Sequence, residues 1–221
     1  MYSLNDTIVA VSSASRGVRS IVRMTGPQTI PICEQLFQPA AGSQIRNPQS
    51  AVRNRMLVSG CIRVTPALTI DALLYVFFAP HSYTGEPLAE IHVHASQAVV
   101  EALVQSLLTM GLRPAGPGEL TARAYLNGKL DLAQAEAVNE IISSSNRLQL
   151  DAAQRLLSGR LTEAADEIRS TLLDCLSLIE AGLDFSEEVH DTSPLQAQVL
   201  ARLDVEMEHL ASPRGSRVRP R

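Results

Sequence analysis

An α+β domain followed by an all-helical domain is the architecture this 221-residue sequence predicts. Two observations predict it. Up to residue 115, short stretches rich in β-branched residues are interleaved with helical patterns, the mixture expected of an α+β domain. Beyond it, long segments rich in Ala, Leu and Gln place apolar residues at helical spacing. The expected organisation is a first domain over 1–115, a helical domain over 116–211 and a disordered Arg-rich tail over 212–221.

Residues 7–11 and 21–24 read as strands, and 27–37 as a helix. Residues 42–54 are rich in Gly, Ser, Asn and Pro and read as a loop. Residues 55–64 and 70–78 form an expected strand pair, with Thr65-Pro66 marking a turn between them. Residues 88–94 alternate and read as another strand. Glu90, His92 and His94 then share one face of it, a polar row in an apolar setting, which points to a pocket. Two such histidines can ligate a metal, but no Cys/His/Asp cluster supplies the remaining ligands, so no metal site is expected. Val99, Leu103, Leu107 and Leu108 make 98–110 an amphipathic helix.

The segment 116–138, G-P-G-E-L-T-A-R-A-Y-L-N-G-K-L-D-L-A-Q-A-E-A-V, is the most informative of the chain. Pro117 suits a first helical position, and Glu119 falls in the first turn, where the dipole favours a carboxylate. Leu120, Ala124 and Leu126 line one side of a short helix that Asn127-Gly128 ends. Asp131 and Gln134 have capping-box spacing for the next helix, read as continuous from 132 to 157. On spacing alone, Lys129 is a solvated loop lysine between two helices. Gly159 breaks the pattern. A heptad-like stripe comes next, through Leu161, Ala165, Ile168, Leu172, Cys175, Ile179 and Gly182. After the acidic Asp184-Phe185-Ser186-Glu187-Glu188, Pro194 opens a last helix with Leu195, Val199, Leu203, Met207 and Leu210 on one face. Such stripes imply a partner surface, within the chain or across a dimer.

Composition narrows the function. The chain is 45% hydrophobic and 19% charged with net charge −4, so bulk basicity does not argue for nucleic-acid binding. Arg214, Arg217, Arg219 and Arg221 in the tail read as a solvated end or as an RNA-touching arm. Three cysteines without C-x-x-C spacing fit a reducing, cytoplasmic setting, and neither a signal peptide nor a membrane span is expected. No G-x-x-x-x-G-K-[S/T] loop or G-x-S-x-G elbow occurs.

Several stretches, in order, resemble the N-terminal half of the MnmE/TrmE tRNA-modification GTPases. Asp6-Thr7-Ile8-Val9-Ala10 resembles the family's D-T-I-x-A, and Ile21-Val22-Arg23-Met24-Thr25-Gly26-Pro27 its I-x-R-I-S-G-P. Ser82-Tyr83-Thr84-Gly85-Glu86, continuing through Glu90-Ile91-His92-Val93-His94, resembles S-Y-T-G-E-D-x-x-E-I-x-x-H-G-G. Residues 116–138 resemble P-G-E-F-T-x-R-A-F-L-N-G-K-x-D-L-x-Q-A-E-A-V, and residues 182–188 resemble I-D-F-P-E-E. The chain departs from the pattern at Ser15-Arg16-Gly17-Val18 and at Ala95-Ser96, where the family carries more glycine.

The resemblance implies a first domain similar to the tetrahydrofolate-binding domains of aminomethyltransferase-type proteins, mediating homodimerisation. It implies 5-formyl-tetrahydrofolate as cofactor, with Arg23, Glu90 and Lys129 as its contacts. A flavoprotein partner, MnmG, and tRNA are implied by the same source, with modification at carbon 5 of the wobble uridine. The GTPase domain, closing helices and C-terminal Cys motif of the family are missing from the sequence. The chain by itself is therefore expected to have no GTPase activity and no GTP, potassium or magnesium site. Three readings compete: the folate-binding and dimerising part of such a factor, a stand-alone folate module, and a non-catalytic remnant that serves association.

Overall fold

The computed structural model describes residues 5–12, 19–40, 55–184 and 193–211. Ser15-Arg16-Gly17-Val18, the expected loop at 42–54, residues 185–188 and the Arg-rich tail lie outside them. By α-carbon packing the chain divides into one unit through Ala153 and a second from Gln154.

The first unit is a seven-stranded sheet with two helices against one face. Its strands are β1 (Ile8–Val11), β2 (Ser20–Thr25), β3 (Phe37–Pro39), β4 (Arg55–Thr65), β5 (Leu68–Phe77), β6 (Leu88–Val93) and β7 (Arg113–Pro114). They lie in the order β3-β4-β5-β6-β2-β1-β7, and all neighbours are antiparallel except β1 and β7. Helices α1 (Thr29–Leu36) and α2 (Gln97–Thr109) pack on this sheet. Strand alternation sorts the side chains: Val22, Met24, Val58, Leu74, Val76, Ile91 and Val93 turn to the helices and are buried with Ile32, Leu36, Leu103 and Leu107. Fully burying each such aliphatic side chain contributes about 1.5–3 kcal/mol. No helix among the described residues is long and apolar enough to cross a membrane.

The α+β reading of the first domain and the helical reading of the second both match these elements. Strands β3 and β7 are additions, too short to leave a periodic signal. Gly60 explains how β3 fits. A Cβ there would lie 2.2 Å from the Gln38 carbonyl oxygen and 2.8 Å from Phe37 Cε1. Gly60→Ala is therefore expected to push β3 off β4 and to lower stability by about 1–3 kcal/mol, the usual range for overpacking. Urea denaturation checks this, and an unchanged midpoint would mean that β3 yields without cost.

The helical segment differs from expectation in three places. Pro117 is not the first helical residue: α3 (Glu119–Leu126) has Gly118 as its N-cap, and Leu126 is exposed rather than packed. At the other end the reading holds. Gly128 takes φ 68°, its N–H reaches the Tyr125 carbonyl at 3.0 Å, and the Lys129 N–H reaches that of Ala124 at 2.8 Å, a Schellman closure. Asp131 and Gln134 exchange the capping-box bonds at 2.7 and 3.0 Å.

The continuous helix expected over 132–157 is instead two, α4 (Leu132–Ser143) and α5 (Arg147–Leu157). Ser144-Ser145-Asn146 separates them without Gly or Pro. The Ser144 hydroxyl donates to the Ile141 carbonyl, and Asn146 Oδ1 accepts from the Gln149 N–H at 2.9 Å, capping the next helix. The packing division at Ala153 also falls later than the expected boundary at 115. Within the first unit, Arg123 of α3 reaches Asp6 and Glu86.

In the second unit, α6 (Arg160–Asp184) and α7 (Ser193–Ala211) pack together and share an ion pair, Arg202 Nη1 to Asp174 Oδ2 at 3.1 Å. Of the expected α6 stripe, Cys175 is buried, whereas Leu161, Leu172 and Ile179 remain exposed.

Candidate functional site

Arg23 on β2 stands directly opposite Glu90 on β6, and both point to the sheet face away from α1 and α2. The register extends this row to Leu57, Tyr75 and Ala10, five strands wide. Arg23 donates Nε and Nη2 to Glu90 Oε1 at 2.9 and 2.6 Å. Glu90 Oε2 lies 3.1 Å from His92 Nε2. The His92 and Tyr75 ring centroids are 4.6 Å apart, with the planes tilted by 40°.

Burial works against the charge of Glu90, but the His92 hydrogen bond and the Arg23 guanidinium outweigh it and hold the carboxyl below its ordinary pKa. An ionised carboxylate only accepts, so the contact assigns the proton of a neutral His92 to Nε2. His92 Nδ1 is buried and has no hydrogen-bond partner among the described residues. Beside it opens a cavity of about 520 Å³, lined by Arg19, Gln38, Ser59, Asp71, His92 and His94 among others. Both histidines of the expected polar row thus meet one cavity. Among the described residues, no three His, Cys, Asp or Glu side chains gather as metal ligands would.

Lys129 arrives from a different element. It is exposed on the turn between α3 and α4, and its stem runs over Gly85: a Cβ on Gly85 would lie 3.3 Å from Lys129 Cγ. Among the described residues no hydrogen bond or ion pair joins Lys129 to Arg23 or Glu90. The three residues that the resemblance implied thus stand as one close pair and one separate cation.

A second polar cluster was not expected. Arg123 is fully buried. It donates to the Asp6 carbonyl at 2.9 Å, to the Asp6 carboxylate, to Glu86 Oε2 at 3.1 Å and to Glu119 Oε1 at 3.3 Å. Arg113 adds contacts to Asp6 Oδ2 at 2.8 Å and to both Glu119 oxygens at 2.5 and 3.0 Å. Glu119 is fully buried and also accepts the Gly116 N–H at 2.8 Å. The carboxylate therefore does more than face a helix dipole. The Arg113 hydrogen bonds outweigh burial and, with the Gly116 N–H, keep its pKa low. The i,i+4 spacing of Glu119 and Arg123 beside the apolar Ala124 was the one available hint.

The motif residues Asp6, Glu86 and Arg123 thus converge in space. Residues 7–129 match the family model described as the GTP-binding protein TrmE N-terminus, and 132–216 match the MnmE helical domain. The chain belongs to the MnmE/TrmE family. It is 38% identical over 207 residues to a tRNA modification GTPase MnmE of Bacteroides thetaiotaomicron, covering 94% of this chain and 43% of that protein. The protein of the same name from Akkermansia muciniphila is 42% identical over 200 residues, covering 89% and 42%. The one from Thermus thermophilus is 37% identical over 222 residues, covering 99% and 49%. The chain thus spans under half the length of these MnmE relatives. The two family models meet at the Lys129 to Leu132 turn, between the Schellman closure and the capping box.

Proposed function

We propose that this chain is the folate-binding, dimerising part of a tRNA-modification factor, acting in the cytoplasm on the wobble uridine with an MnmG-like flavoprotein. Its ligand on this reading is 5-formyl-tetrahydrofolate, in a domain similar to tetrahydrofolate-binding aminomethyltransferase-type domains. Family membership supports the general role. The observation that carries the ligand is the half-buried Arg23–Glu90 pair beside a buried His92 nitrogen that has no hydrogen-bond partner among the described residues.

The residues present fit such a ligand. Glu90 is held ionised, and a pterin edge offers paired N–H donors to a carboxylate. Among the described residues, Oε1 is taken by Arg23, while Oε2 has one contact, to His92. The planar guanidinium of Arg23 suits bidentate contact with a ligand carbonyl or carboxylate, and Lys129 supplies a point charge to the glutamate end. When bound, the folate supplies a one-carbon unit at the formyl level; these side chains bind and orient it. No nucleotide-phosphate loop lies in these residues, so GTP hydrolysis is not assigned to them.

Calorimetric titration with 5-formyl-tetrahydrofolate tests the reading. Wild type is expected to bind saturably. Arg23→Ala and Glu90→Ala, each leaving a half-buried partner charge, should weaken binding by about 30-fold or more, the lower end for breaking such a pair. A folded wild-type chain giving no saturable heat would defeat the proposal.

A further inference from the structure

An exposed lysine ordinarily samples many positions on its flexible four-carbon stem. The turn that carries Lys129 is nevertheless tied down. Asn127 donates Nδ2 to the Thr84 carbonyl at 2.7 Å. Thr84 is itself fully buried, with Oγ1 2.7 Å from Thr25 Oγ1 on β2, two residues along from Arg23. The loop around it is held by Ser82 Oγ donating to the Glu86 carbonyl at 2.5 Å and by Arg123 on Glu86. Tyr83 Oη adds a 3.0 Å contact to Thr121 on α3. Gly85 completes the fit. At φ +78° and without a side chain, it lets Asn127 and Lys129 lie on the loop, where a Cβ would come within 3.1 Å of Asn127 Cβ and 3.3 Å of Lys129 Cγ.

We propose that Asn127 is a positioning residue for Lys129. Through Thr84 and Thr25 it references the lysine to the strand carrying Arg23, so that an anionic ligand group meets cations already placed. This rests on the reading of Lys129 as a ligand contact. It differs from a structural role for Asn127 in one measurable respect, since a positioning residue is energetically coupled to the residue it positions.

The test is a double-mutant cycle, read as the affinity for 5-formyl-tetrahydrofolate by calorimetry, with folding checked by circular dichroism. Lys129→Ala is expected to weaken binding by about tenfold in the wild-type background and by less than about threefold in the Asn127→Ala background. Gly85→Ala, which displaces the stem rather than removing the hook, should blunt the Lys129→Ala effect in the same way. Losses that simply multiply would overturn the positioning role while leaving the Arg23–Glu90 site standing. An Lys129→Ala chain that binds like wild type would overturn it too, by removing Lys129 from the site. A wild type that does not bind defeats the folate reading and this proposal together, and the first titration of the series separates that case from the others.

Discussion

Arg123→Met is expected to destabilise the first unit by about 3–5 kcal/mol, the usual cost of removing one partner from a buried ionic cluster. The guanidinium is fully buried and serves Asp6, Glu86 and Glu119. Without it, Arg113 still holds Asp6 and Glu119, but among the described residues the Glu86 carboxylate keeps hydroxyl help from Thr25 at 3.2 Å and no other side-chain partner. Single domains are stable by about 5–15 kcal/mol, so the loss takes a large share of the total. Urea denaturation at neutral pH gives the number, followed by probes in the first unit, where Arg123 lies. Arg123→Lys should recover little, since one ammonium cannot reach three carboxylates in fork geometry. A loss below about 1 kcal/mol would mean that desolvation of the cluster cancels its attractions.

Acid should unfold this unit through the same groups. Burial opposes the charge of Asp6, but hydrogen bonds from Arg113 and Arg123 prevail and lower its pKa. Glu119 and Glu90 are lowered as well. A carboxyl with a depressed folded-state pKa binds its proton more weakly when folded than when unfolded. Its stabilisation is complete above the unfolded value, about 3.9 for Asp and 4.3 for Glu, and is lost as pH falls through the folded one. Stability is therefore expected to hold down to about pH 5 and to fall below it, with up to three protons taken up on unfolding. Urea midpoints from pH 7 to pH 3 measure this. A flat profile to pH 3 would show that the three groups are not perturbed. In Arg123→Met the Asp6 share of the slope should shrink.

The five longer strands, the two sheet-packing helices and both caps around Lys129 were legible because each is encoded locally, by alternation, 3.6-residue spacing or a glycine after a helix. The Arg23–Glu90 contact needed the register of β2 against β6, which spacing does not contain; only resemblance led to it. The Arg123 cluster was less legible still. Its partners Asp6 and Glu86 lie 117 and 37 residues away in sequence, and a charged residue at a helical position reads as surface by default. The break at 144–146 escaped because Ser and Asn end helices by side-chain hydrogen bonds, whereas Gly and Pro do so by backbone geometry.

Each rim of the sheet has a further consequence. Strand β3 has three residues and ends at Pro39, and β7 has two and ends at Pro114. Proline offers no N–H, and such short borders give an incoming chain almost no ladder to extend. Edge-to-edge polymerisation, the common hazard of open sheets, is thereby blunted along these two strands. A second copy approaching there meets side chains and few backbone rungs.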